Sequence, residues 1–301
     1  MNIGKKEIAH LILGMREAFE RGENAMAWAR AHSSPTNTTI STLIAYDLQS
    51  GTYVELARKN RQFVTQWCNQ LANILRPFVS EGDRLLEVGV GEGTTLAGVV
   101  SALEIDNVSA YGFDLNWSRI AIANGWMSEN NVKAKLFVAD MFDIPLDDNS
   151  VDVVYTSHSI EPNRGKEEAA IIELLRVARK AVVLVEPCYE LAAKEAKVRM
   201  DEHQYVRGLR SIAERLGVEI VDDRLLDVMP NPLNPSGVLI LIKPQSSLGR
   251  EDTIKWRDPI TGIPMVDKGD HFFAEKVGIG YPVLKGIPCL RVEHSIICSK
   301  I

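Results

Sequence analysis

The chain has 301 residues, 46% of them hydrophobic and 25% charged, with a formal net charge of -6. That composition is globular and the length suits one large domain, or a large one with a small one. The acidic balance gives no global attraction to nucleic acid or to an anionic membrane surface, and no apolar run approaches the ~20 residues of a membrane span.

The opening residues, MNIGKKEIAH, lack the apolar core of a signal peptide, so a cytoplasmic protein is expected. Residues 5 to 31 read as one helix, with Ile8, Leu11, Ile12, Met15, Ala18 and Phe19 in helical spacing. SSPTNTT, at 33–39, is a polar break carrying a proline. A second helical region follows from 41 to 79, through Val64, Trp67, Leu71, Ile74 and Leu75. Residues 1–80 are therefore expected to form an N-terminal helical region.

From Arg84 short apolar runs alternate with amphipathic segments. The runs are RLLEVGV (84–90), SAYGFDL (109–115), AKLFVAD (134–140), VDVVYTSH (151–158) and AVVLVEP (181–187). GKEEAAIIELLRVARK (165–180) is one of the helical patterns between them. This alternation implies an α/β fold with a mainly parallel sheet joined by right-handed crossovers. After a helical stretch at 189–216 come VEIVDDRLLD (218–227) and GVLILIKP (237–244), with only the MPNPLNPS loop between them. That last pair should be antiparallel. Arg207, Arg210 and Arg215 are spaced like a solvated helix face. KPQSSLGRED marks a boundary near 244–253, so the core domain is expected at 81–246. Beyond it, 253–301 reads as a small module of short strands and turns.

LLEVGVGEGTTL, at 85–96, raises the question of a ligand. Gly89, Gly91 and Gly93 follow a strand and open a helix. In an open parallel sheet ligands sit at the carboxyl ends of the strands, and glycines let backbone approach them. A bland tight turn remains an alternative on this signal alone. The spacing is G-x-G-x-G, not the dinucleotide G-x-G-x-x-G, and no P-loop lysine follows. Glu87, before the glycines, suits a cationic ligand better than a pyrophosphate. S-adenosylmethionine is such a ligand, with an ammonium and a sulfonium. The second run ends at Asp114-Leu115, where an acidic residue can accept from both ribose hydroxyls or simply start a surface turn. The third ends at Asp140, beside Met141 and Phe142, a carboxylate next to an apolar surface that suits an adenine ring.

In this order, LLEVGVGEG, YGFDL and VADMFDIPLDDNSVDVVYTSHSIEP resemble the class I S-adenosylmethionine-dependent methyltransferases, over about residues 40 to 244. The last stretch resembles the branch of ubiquinone/menaquinone-biosynthesis and other small-molecule enzymes. Ile144-Pro145 and Val151-Asp152 replace its usual Leu-Pro and Phe-Asp. The resemblance implies a Rossmann-like seven-stranded sheet with an antiparallel last strand, bound S-adenosylmethionine, and a contact at Ser157. It also implies a tyrosine-bearing N-terminal helix over the cofactor. Tyr46 and Tyr53, seven positions apart, would share one helical face there. Their rings could face a sulfonium or pack on the sheet.

GIGYPVLKGIPCL (278–290) resembles the signature of the small zinc-ribbon-like methyltransferase-activator family. In DPITGIP, Asp258 stands where that family carries a cysteine. Cys68, Cys188, Cys289 and Cys298 are far apart, and Cys289 and Cys298 cannot make a tetrahedral site alone. A metal-free module fused in cis is expected.

Methyl transfer is an in-line displacement, so positioning does much of the work, and a hydroxyl acceptor also needs a base. The fourth run delivers His158 and Glu161 to the cleft. His158 reads as a base with Glu161 orienting it or the substrate; alternatively, both only shape the loop. Asn163, Arg164, Lys166, Asn231 and Asn234 would rim the acceptor site. The expected function is methylation of a small-molecule acceptor, most directly a hydroxyl such as that of a sugar or nucleotide-sugar. The alternatives are an RNA or translation-factor methyltransferase and a non-catalytic cofactor-binding partner. Neither a nucleic-acid partner nor a membrane is expected, and the sequence leaves the oligomeric state open.

Overall fold

Runs in which nearly every side chain is apolar are satisfied only by burial on both faces. In the computed structural model, which describes residues 5–243 and 253–300, the runs become β1 (Arg84–Val88), β2 (Ser109–Asp114), β3 (Ala134–Val138), β4 (Val151–Ser157) and β5 (Ala178–Pro187). With β6 (Glu219–Leu225) and β7 (Ser236–Ile242) they form one seven-stranded sheet, ordered β3-β2-β1-β4-β5-β7-β6. Only β7 runs against its neighbours, antiparallel to both β5 and β6. This is the expected architecture. The strand order reverses between β1 and β4, and a crevice opens there at the strands' carboxyl ends.

Successive residues face opposite sides of the sheet. Leu86 and Val154 enter one apolar cluster, packed by α8 (Glu167–Val177) and α10 (Leu209–Arg215). Leu85 and Val153 enter the other, packed by α5 (Arg61–Leu75), α6 (Thr94–Leu103) and α7 (Trp117–Glu129). α9 (Lys194–Glu202) lies outside both, on a small cluster with Tyr189 and Tyr205.

Several helices are shorter than the apolar spacing implies. The segment 5–31 is two helices, α1 (Lys5–Glu20) and α2 (Ala25–His32). Gly22 takes a φ of +77° between them, and Asn24 caps α2 by accepting from Ala27 N at 3.0 Å. The region expected as continuous helix from 41 is α3 (Thr39–Leu48), α4 (Thr52–Lys59) and α5. Gly51, at φ +98°, separates the first two. The helix expected at 165–180 stops at Val177, because Ala178 already pairs with Val151 at the start of β5. The stretch 189–216 holds α9 and α10 separated by a turn. Arg207, Arg210 and Arg215 make ion pairs with Asp201, Glu214 and Glu168 at 2.7–2.9 Å, as a solvated face does.

The boundary expected in KPQSSLGRED falls at 244–252, outside the described residues. The tail contains β8 (Trp256–Arg257), β9 (Pro264–Asp267), β10 (His271–Ala274), β11 (Ile279–Leu284), β12 (Ile287–Pro288) and β13 (Ile296–Ile297), in a second, mainly antiparallel sheet. Its attachment is through backbone and core together. Leu290 N donates to Val138 O at 2.8 Å, Arg257 N to Pro145 O at 3.2 Å, and Asp147 N to Lys255 O at 3.1 Å. Phe272, Tyr281 and Leu290 belong to the same apolar cluster as Leu86. No helix among the described residues is long and apolar enough to cross a membrane.

Candidate cofactor and acceptor site

A cavity of about 770 Å³ opens at the reversal point. Of the expected site residues, all but Gly93 line it: Tyr46, Tyr53, Glu87, Gly89, Gly91, Asp114, Leu115, Asp140, Met141, Ser157, His158 and Glu161. Gly93 stands behind the wall, where a Cβ would come 2.8 Å from Met127 Cε. At Gly89 a Cβ would come 2.2 Å from Ser159 Cβ. Both take positive φ, +76° and +71°, so these turns exclude side chains twice over. No side chain caps the N-terminus of α6, which leaves its first backbone donors for a ligand.

Three carboxylates stand at three strand ends. Glu87 on β1 is 2% exposed and accepts from Tyr155 OH at 2.7 Å. Burial, with Asp114 nearby, pushes its pKa up to about 8. Asp114 closes β2 and accepts from Gly91 N at 3.0 Å and Asn116 N at 2.9 Å, so it pins the glycine turn. Each of its oxygens keeps a further lone pair for a ligand. Asp140 follows β3 and accepts from Phe142 N at 3.1 Å. Burial raises its pKa against the pull of that N–H and of Arg291 from the tail. A buried carboxylate, free helix N–H groups and glycine clefts fit an adenosyl amino acid carrying an ammonium.

The other side of the cavity holds His158 and Glu161. His158 Nδ1 lies 2.9 Å from Glu161 Oε2, and Nε2 lies 2.7 Å from Ser236 Oγ. Both ring nitrogens are thus engaged, and no loop carbonyl is involved. His158 itself sits at φ +56°, held by its N–H on Val185 O at 2.9 Å. Burial pulls its pKa down, but the hydrogen bond and charge of Glu161, with Glu186 behind, leave it above its ordinary value. Glu186, 2% exposed, accepts from Ser159 N, Ile160 N and Glu161 N, each at 3.1 Å, and so shapes this turn. Its own pKa rises with burial to about 7. Asn163, Asn231 and Asn234 line the cavity. Arg164 does not: it binds Tyr205 O at 2.7 Å and Asp201 at 2.9 Å. Lys166 lies over the Phe142 ring at 4.9 Å.

The tyrosines do not share a helix. Tyr46 is on α3 and Tyr53 on α4, across the Gly51 break. They still converge, because both rings stack on the Arg119 guanidinium, at 4.8 and 4.5 Å. Glu92, inside the glycine turn, ties the same segment down by accepting from Gly51 N and Val54 N, both at 2.8 Å. Sequence reasoning missed Glu92, Arg119, Glu186 and Ser236. Arg119 left one trace, a lone cation on the otherwise apolar stripe Ile120, Ala123 and Met127 of α7. Glu92 left another, a charge between two glycines of the turn.

Residues 85–181 match a family described as methyltransferase domain. Ajmaline N-methyltransferase from Rauvolfia serpentina is 27% identical over 132 residues, 42% of this chain and 44% of that protein, so the chain spans under half of that relative's length. Among solved structures, magnesium protoporphyrin IX methyltransferase from Synechocystis PCC 6803, with bound SAH, has a TM-score of 0.52 at 14% identity over 67% of this chain and 100% of its own. A complex between a methyltransferase activator of Haloferax volcanii and a methyltransferase has a TM-score of 0.50 at 14% identity, over 66% of this chain and 98% of that one. At such identities the structures speak for the fold alone. Residues 85–181, about a third of the chain, thus match a methyltransferase domain, on a fold shared with solved methyltransferases.

Proposed function

We propose that the protein transfers the methyl group of S-adenosylmethionine to a small-molecule acceptor, with a hydroxyl as the acceptor group. The observation that carries this reading is one cavity with two chemically distinct sides. One side has Glu87, Asp114 and Asp140 at consecutive strand ends; the other has the His158–Glu161 pair among neutral amides. When bound, S-adenosylmethionine supplies a methyl group already activated on a sulfonium. Glu87 faces the ammonium end, Asp114 the ribose hydroxyls and Asp140 the adenine amine, with Gly89, Gly91, Leu115, Met141 and Ser157 completing the wall. Tyr46 and Tyr53 close it.

His158 and Glu161 act as one proton acceptor. Ser236 and Asn234 hold the pair from outside, the latter through Nδ2 at 3.4 Å from Glu161 Oε2. Asn163 and Asn231 suit the hydroxyls of a polar acceptor such as a sugar. A cavity of this size suits such a molecule, and the acidic balance of the chain weighs against an RNA. The unbroken set of cofactor contacts weighs against a non-catalytic role. The likeness of the sequence to the quinone-biosynthesis branch belongs to the same reading. So does the tail as a metal-free relative of the activator modules, in which Asp258 replaces a metal ligand.

The experiment is turnover of S-adenosylmethionine to S-adenosylhomocysteine against a library of sugars, phenols and amines. His158→Ala and Glu161→Gln should each lower kcat by ~10²–10⁴-fold, the contribution of a positioned base, and leave cofactor affinity near wild type. Both variants within a few-fold of wild type on the best acceptor would remove the pair from the chemistry. Selective turnover of an amine would move the reading from hydroxyl to nitrogen.

A further inference from the structure

The two members of the His158–Glu161 pair are not equally free to meet an acceptor. His158 has no spare nitrogen. Nδ1 lies 2.9 Å from Glu161 Oε2 and Nε2 lies 2.7 Å from Ser236 Oγ. An ionised carboxylate only accepts, so Nδ1 carries the proton, and the lone pair of the neutral ring, on Nε2, takes the Ser236 hydroxyl. Protonating the ring removes that lone pair and offers none in its place. The direction is closed as well. Ser236 is 0% exposed at the start of β7 and does not line the cavity, so Nε2 points into the protein.

Glu161 is the opposite case. Its Oε2 accepts from His158 Nδ1 and, at 3.4 Å, from Asn234 Nδ2, while Oε1 accepts from none of the described residues. Nor is Oε1 among the sealed side-chain atoms that lack a partner. The side chain is 12% exposed and lines the cavity. Its backbone is fixed on both sides, Glu161 N donating to Glu186 Oε2 at 3.1 Å and Glu161 O accepting from Val206 N at 3.0 Å. A carboxylate held by its backbone and by one oxygen presents the other in a set position. It also lies within electrostatic reach of the cover: burial and then the charge of Glu161 raise the pKa of Tyr46.

Resting on the methyl-transfer reading, we propose that Glu161 Oε1 is the atom that takes the acceptor's proton, and that His158, locked by Ser236, is a positioning residue. The acceptor oxygen forms its bond to the methyl carbon as the carbon–sulfur bond breaks, and that electron pair stays on sulfur. The hydroxyl proton passes to Glu161 Oε1. The sulfonium charge and the carboxylate charge thus cancel together, and the neutral acid returns its proton to water as product leaves.

One test needs no acceptor. Nitrogen NMR of histidine-labelled protein, loaded with S-adenosylhomocysteine, should find the neutral His158 ring protonated on Nδ1 and bare on Nε2. His158→Asn identifies the signals by their loss. Ser236→Ala should move the Nε2 signal and leave the Nδ1 proton in place. A neutral ring protonated on Nε2, or an Nε2 signal indifferent to Ser236→Ala, overturns the lock. Turnover on the best acceptor of the library above tests the base. Glu161→Gln should lower kcat by ~10²–10⁴-fold. His158→Asn keeps an amide donor for Glu161 Oε2 and suits the φ of +56° at this position, yet has no basic nitrogen. It should therefore lower kcat only about tenfold, the scale of one neutral hydrogen bond. Cofactor affinity should stay near wild type in both. His158→Asn as slow as Glu161→Gln, with cofactor still bound, would make the imidazole the base and overturn the assignment. No turnover of any acceptor by wild type would instead overturn the function proposed above, a result on which the ring signals do not depend.

Discussion

Asp114 is legible because it ends an apolar run whose burial fixes where the strand stops, and Glu87 because it is a lone charge inside such a run, two residues before the glycine turn. Asp114→Ala removes a charged acceptor from Gly91 N and, on the proposed function, from the ribose. Hydrogen bonds to charged groups are worth ~1.5–3 kcal/mol, so calorimetry should give cofactor affinity lower by about tenfold or more. Unchanged affinity would take Asp114 out of the cofactor contacts. Glu87 gives a pH signature. Burial raises its folded pKa to about 8, above the unfolded value of 4.5. A group so raised contributes stability that is full below pH 4.5 and is lost as pH climbs through about 8. The melting temperature of ligand-free wild type should therefore fall relative to Glu87→Gln between pH 5 and 8. Parallel curves would mean that Glu87 is already ionised in the fold. The residues that escaped sequence reading act between elements. Glu92 reaches amides 41 and 38 positions away, and Glu186 reaches the turn after a neighbouring strand. No local pattern encodes such partners, since the sheet's strand order creates them.

At the scale of elements, the strands were readable and the cover only half so. Apolar runs leave the sheet few choices, and a loop without a helix before β7 forces its reversal. The cover over the cavity was expected as one helix carrying Tyr46 and Tyr53 on one face. Its apolar spacing does run on past Gly51, but the φ of +98° there ends α3 and starts α4 in a new direction. The tyrosines meet because Arg119 gathers them and Glu92 caps α4 from the glycine turn. The cover is therefore fastened to the loop that should meet the cofactor. Hydrogen exchange across 39–60 should slow when S-adenosylhomocysteine binds, as a lid loses its open states. In Glu92→Ala the same segment should exchange faster without ligand and respond less to it, while the amides of β4 and β5 keep their protection. Equal exchange in 39–60 with and without ligand in wild type would reduce the segment to a support.

At the scale of the whole molecule, Asp258 organises the tail that the backbone bonds and shared core attach. The carboxylate is fully buried and accepts from Thr261 N at 3.0 Å, Ile260 N at 3.3 Å, Thr261 Oγ1 and Tyr281 OH at 2.6 Å. One side chain thus closes the 258–261 turn and joins it to β11, the work a metal ion does when cysteines hold such a turn. No group of three or more histidine, cysteine, aspartate or glutamate residues among the described residues is arranged to hold a metal. With Asp258 where a cysteine would be expected, elemental analysis of purified protein should find no stoichiometric zinc, and one equivalent surviving dialysis against a chelator would overturn the metal-free proposal. Asp258→Ala should leave Tyr281 OH and the turn amides buried without an acceptor, at ~1–3 kcal/mol for each orphaned group. At roughly 2–4 °C per kcal/mol for chains of 150–250 residues, the melting temperature should drop by several degrees. The loss should not stay in the tail, because Tyr281 and Phe272 share the core of Leu86 and β1, and Leu290 pairs with the strand that ends before Asp140. Asp258→Ala should thus also weaken cofactor binding, although Asp258 does not line the cavity. A variant that melts early in one separate transition, with cofactor affinity intact, would mean that the tail folds independently of the site.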